Sequence, residues 1–210
     1  MKATANRAAR KGTKRDNDAS LWAKERKRKG RLPTGTKGNG TPAIERSLAN
    51  NNWKKARSLI QDELIYKPMD HWLWMHLGLT YHEERDYEKA VHCSKRAVQL
   101  APNCPLALWH YAGSLEMAGR GASALPIWVM LLTMDIEEVA YGDHGEGMDW
   151  ALQLLNDVHY RMGRYYQRMG NKDLAIESYR KYLHNRAHGV GSIYELSKAE
   201  AALARLSAKS

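Results

Sequence analysis

The side chains best suited to chemistry gather in one glycine-rich stretch, Gly142-Asp143-His144-Gly145-Glu146-Gly147, preceded by Glu137 and Glu138 and followed by Asp149. Asp143, His144, Glu146 and Asp149 offer carboxylate oxygens and an imidazole, a donor set that could hold a cation. Their order follows no calcium-loop pattern, and their spacing matches no zinc signature. Three glycines in six residues read more simply as a turn. The expectation is a solvated acidic loop between two lengthened helices, with no metal and no cofactor. His184 and His188 stand four apart, as two ligands on one helical face would, but no Glu follows the first and no third ligand is apparent. Cys93, Cys104, His92 and His110 are near in number and have no ligand spacing. The chain contains no phosphate-cradling glycine loop, no Gly-x-Ser-x-Gly elbow and no dinucleotide fingerprint, so no enzymatic activity is expected.

A second chemical signal is charge. The net charge of +10 is confined to residues 1–40, which hold 13 basic and 3 acidic side chains, whereas residues 41–210 hold 20 of each. With five glycines and almost no aliphatic side chains, residues 1–40 cannot bury enough surface to offset their ordering entropy, and a disordered basic tail is expected. Within it, Lys24, Arg26, Lys27, Arg28, Lys29 and Arg31 have the form of a nucleic-acid patch, and contact with nucleic acid or ribosomes is the alternative function they suggest. Only Trp22 is nearby, too little for a single-strand stacking platform. Two cysteines cannot make a disulfide framework. The first residues also lack the apolar stretch of an export signal, so a reducing, cytoplasmic location is expected. No run approaches 18 apolar residues, so no membrane span is expected. Phenylalanine is absent, leaving 7 Trp and 11 Tyr to supply aromatic packing.

The elements that must position these groups are legible from a repeat. Asn52-Trp53-Lys54-Lys55-Ala56, Asp86-Tyr87-Glu88-Lys89-Ala90, Arg120-Gly121-Ala122-Ser123-Ala124 and Asn171-Lys172-Asp173-Leu174-Ala175 look alike, and their last alanines are 34, 34 and 51 residues apart. The longest interval is 34 plus an insertion of 17. Trp74-x-x-Leu77-Gly78-x-x-Tyr81, followed by Ala90 and Pro102, resembles the tetratricopeptide repeat, whose period is 34 residues. The same positions return as Leu108, Tyr111, Ala112, Leu115, Ala124 and Trp128, and again as His159, Met162, Gly163, Tyr166, Ala175 and Tyr179. Gly78, Ala112 and Gly163 are small where two antiparallel helices approach. Ser94 departs from the family's bulky residue at its position.

The predicted fold is therefore an all-α solenoid of helix–turn–helix repeats. A half unit at 41–70 precedes units at 71–104, 105–138 and 156–189. An insertion occupies 139–155, and an amphipathic capping helix 190–207 carries Ile193, Leu196, Ala199, Leu203 and Leu206 on one face. Met148 to Met169 reads as one helix of about six turns overhanging the stack. Pro126 is expected in a first helical turn, with Ser123 as N-cap. The resemblance implies a protein-binding scaffold or adaptor whose concave face, made by first helices, holds a peptide. On that face it sets Trp72, Met75 and Leu79, then Trp109 and Met117, then Tyr160, Arg164 and Arg168. The result is an apolar trough running toward two arginines, suited to a peptide with an apolar anchor and an acidic end. The family's lysine-and-asparagine carboxylate clamp is not matched, because Met75 and Leu79 stand where it would begin.

Overall fold

A computed structural model describes residues 42–208, which form ten α-helices and no strand. In chain order these are α1 (Pro42–Ala49), α2 (Trp53–Tyr66), α3 (His71–Glu83), α4 (Tyr87–Leu100), α5 (Pro105–Met117), α6 (Gly121–Thr133), α7 (Ile136–Tyr141), α8 (Met148–Arg168), α9 (Lys172–Ala187) and α10 (Leu196–Ser207). Consecutive helices pack as antiparallel pairs, α3 on α4, α5 on α6 and α8 on α9, and α4 stacks on α5 to continue the solenoid. No helix among the described residues is long and apolar enough to cross a membrane.

The repeated segments mark the second helix of each pair. Asn52, Asp86 and Asn171 are its N-caps, each accepting a hydrogen bond from the amide three residues on. One residue before each cap, the backbone turns left-handed at the same repeat position every time, at Asn51 (φ 56°), Arg85 (φ 66°), Gly119 (φ 82°) and Gly170 (φ 75°). That conformation reverses the chain between paired helices, and only two of the four units use the residue to which it comes without strain. The 105–138 unit departs at the cap, since Arg120 offers α6 no capping bond. α6 begins at Gly121, so Ser123 lies inside the helix instead of capping it, and Pro126 sits in its interior on the exposed side, beyond the first turn. This corrects the expected placement of both residues.

Pairing distance follows from the small residues. A Cβ on Gly163 would stand 2.9 Å from the Tyr179 ring, and one on Gly78 2.8 Å from Ser94 Oγ. Ser94, Trp128 and Tyr179 occupy one repeat position, and all three are buried. The missing bulk at Ser94 is made up by polar packing: its hydroxyl donates to the Ala90 carbonyl at 2.7 Å and lies 3.4 Å from Ser114 Oγ.

The overhang of α8 is not bare. α7 folds onto its first turns, burying Val139, Ala140 and Ala151 against Met134, Ile136, Met148 and Trp150. The capping segment also differs from expectation. Residues 190–195 precede the helix as an irregular strap, and Ile193 enters the core from it, leaving α10 to begin at Leu196. Gly163→Val drives a branched side chain into the Tyr179 ring, and overpacking of this kind costs about 1–3 kcal/mol. The expected result is a lower thermal midpoint in circular dichroism with helix content preserved at low temperature; an unchanged midpoint would show that α8 and α9 can separate freely.

Candidate functional site

The expected peptide-facing residues lie on α3, α5 and α8, the first helices of the three pairs. Trp72, Met75, Trp109 and Tyr160 are buried in one apolar core with Leu154, Ile193 and Tyr194, and Leu79 is also buried. Trp72, Met75, Leu79, Trp109 and Tyr160, expected along an open trough, are thus largely covered within the folded chain. Met117 and Arg164 remain half-buried and Arg168 is exposed.

Closure is organised around one carboxylate. Glu116, near the end of α5, is buried and accepts from Arg161 at 3.2 Å and from Arg168 at 2.8 Å, both on α8. The Arg161 side chain is only 2% exposed. Its guanidinium lies 4.3 Å from the Trp109 ring centroid, and its Nε donates to the Tyr194 hydroxyl at 2.7 Å. Gly113 makes room for it, since a Cβ there would stand 2.9 Å from the guanidinium. Tyr194 in turn stacks on Tyr160 with ring centroids 4.2 Å apart. Arg168, expected as a peptide-facing cation, is committed to Glu116.

The strap is tied down by Asp157 of α8, which accepts from Ser192 Oγ and from the Ile193 amide at 3.2 Å. Tyr182 reaches the same strap, its hydroxyl 2.9 Å from Ser192 Oγ and 3.0 Å from the Tyr194 carbonyl. Against the filled trough, one cleft of about 310 Å³ opens between α8 and α10. Tyr160 and Tyr179 contribute to its walls, Arg164, Lys198 and Arg205 supply positive charge, and no carboxylate lines it.

The remaining candidates separate. Asp143 and Asp149 are exposed, and of the four-residue set only His144 joins a cluster of ligand atoms among the described residues. His184 and His188 are exposed, their rings tilted against each other with centroids 4.3 Å apart. Cys93 is buried, and burial pushes its thiol up to about 11. Cys104 is buried too, and its thiol is likewise raised by burial. It lies beside His71 and His144, a grouping that spans three separated stretches of sequence and has no local spacing to announce it. Burial lowers the pKa of His71, and the neighbouring His144 adds to the effect. Lys24, Arg26, Lys27, Arg28, Lys29 and Arg31 lie outside the described residues, as does the whole expected tail.

Two segments, residues 73–104 and 157–184, match the family model described as tetratricopeptide repeat. No curated protein matches the chain.

Burial pushes the Asp157 carboxyl up to about 7, against the opposing pull of Ser192, the Ile193 amide, Arg161 and Arg186. Its ordinary value is 3.8, so between these two values the folded protein holds a proton that the unfolded chain has released. This contribution is fully present below pH 3.8 and is lost as pH rises through about 7. Asp157→Asn removes the titration. In urea denaturation the stability of the parent minus that of the variant should therefore fall by a few kcal/mol across this range, at up to about 1.4 kcal/mol per pH unit. A flat difference would mean that the carboxyl is ionised throughout.

Proposed function

We propose that this chain, two segments of which match the tetratricopeptide repeat, a family whose repeats mediate contacts between proteins, is a non-catalytic adaptor that takes the acidic end of a partner's peptide segment between α8 and α10. The observation that carries this reading is the composition of the cleft, three cations over two tyrosines with no lining carboxylate. A peptide carboxylate entering it meets guanidinium groups at Arg164 and Arg205, which suit planar, two-point hydrogen bonding, and a point charge at Lys198. Tyr160 and Tyr179 give a stiff surface for the peptide's apolar portion at little cost in side-chain entropy.

The filled trough changes what the partner must be. Trp72, Met75, Leu79 and Trp109 support the scaffold from below, so the peptide's apolar anchor is short and the charged end carries selectivity. Tyr160 and Arg164 are the members of the expected peptide-facing set that also line this cleft. Arg168 lies outside this cleft and bonds Glu116 through one guanidinium nitrogen.

The test is fluorescence anisotropy with labelled peptides ending in Asp or Glu, compared with their carboxyl-terminal amides and with lysine-ended counterparts. Acidic-ended peptides should bind in preference to both controls. Arg164→Ala combined with Arg205→Ala should weaken binding at least about 10-fold, the scale of losing charge-assisted hydrogen bonds. Helix content should be unchanged, because both side chains are on the rim. Equal binding of acidic and lysine-ended peptides, or full retention of affinity in the double variant, would refute the reading.

A further inference from the structure

We infer that His71, Cys104 and His144 form a binding site for a zinc-like divalent transition-metal ion, joining the insertion to the repeats. One ring nitrogen from each histidine and the cysteine sulfur lie within 4.8 Å of one another. Donors around a tetrahedral zinc ion are roughly 3.3–3.8 Å apart, given bonds of about 2.0–2.1 Å to nitrogen and 2.3 Å to sulfur. An adjustment of about 1 Å brings the three into that geometry, which is within the reach of side-chain rotation. Two imidazoles and a thiolate are the donors of borderline-soft metals, and a fourth position is left for water or a carboxylate.

The three residues are delivered by separate elements, each with its own reason to be there. His71 is the first residue of α3, just after its Asp70 cap. Cys104 is the N-cap of α5 and is buried at the start of that helix. His144 comes from the insertion loop, whose ring meets that of His71 edge-on at 4.7 Å between centroids. The loop is held tightly enough to aim a side chain. Its Gly147 amide donates to the Ala140 carbonyl at 2.8 Å, and a Cβ on Gly145 would stand 2.3 Å from that same oxygen. The glycines that suggest a plain turn are thus needed for a compact fold-back.

Two further observations point to a cation. His144 Nδ1 is buried and has no hydrogen-bond partner, an arrangement that leaves a polar atom unsatisfied in the protein alone. Beside the cluster, a cleft of about 360 Å³ is lined by His71 and His144 together with Glu138 and Asp143. These carboxylates supply a negative potential at the mouth, and the opening gives a hydrated ion a route to the three donors. Glu146 also acts on the charge of Cys104.

The test uses the full chain, stripped with chelator under reducing conditions and titrated with cobalt(II). One equivalent should produce a thiolate-to-cobalt charge-transfer band, and zinc should displace it. Zinc should also raise the thermal midpoint, because a ligand of the native state stabilises it by mass action. Cys104→Ser should abolish the band, whereas Cys93→Ser should keep it. His144→Asn alters only the surface loop, so it should fold normally, weaken cobalt binding at least about 100-fold and lose the zinc-dependent rise in midpoint. Absence of the band in the parent protein would overturn the proposal. So would its survival in Cys104→Ser, or parental affinity in a folded His144→Asn variant.

Discussion

A single carboxylate, Glu116, sets the terms on which the rest of the solenoid is assembled. A charge this deeply buried costs several kcal/mol unless it is paired and hydrogen-bonded, so α8 must present both Arg161 and Arg168 to α5. Arg161 is itself buried and needs partners beyond Glu116, which it finds in the Trp109 face and the Tyr194 hydroxyl. Tyr194 lies in the strap, and the strap is held by Asp157 and Tyr182. One buried charge therefore ties the second unit, the third unit and the capping segment into a connected polar network.

This network explains why α5 and α8 can face each other across an inserted segment. Uninterrupted repeats stack their first helices directly, as α3 does on α5. After the insertion, α8 packs on α6 and α9, and it meets α5 through the long side chains of Arg161 and Arg168. Gly113 keeps the space beneath the guanidinium open. The cleft between α8 and α10 lies beside this closure and stays open.

The repeat was legible because its signals are local. Asn52, Asp86 and Asn171 declare helix starts by chemistry that acts over three residues, and Gly78 and Gly163 declare close helix pairs by their lack of volume. Ser94, a mismatch in sequence, became intelligible only with Ser114 beside it. The candidate site was harder to read. Trp109 has the spacing of an exposed ligand face, and nothing local reveals that Arg161 will cover it. Ile193 fitted a helical stripe although it enters the core from a strap. Likewise, His71, Cys104 and His144 become neighbours only when the insertion loop folds back, a contact with no periodic trace. Local preferences identified the elements, while long-range contacts determined which of their faces remained available.

The separation of Glu116 from its partners along the chain also bears on biosynthesis. Arg161 follows it by 45 residues, and Tyr194 follows Arg161 by a further 33. During synthesis from the amino terminus, α5 emerges with Trp109 and Glu116 lacking the groups that cover them, and it stays so until α8 and the strap have left the ribosome. A solenoid of independent neighbours could fold as it emerges, one unit at a time. Here the middle unit is finished by the end of the chain, so the nascent protein passes through a stage with an uncovered aromatic surface, the kind of species that chaperones engage.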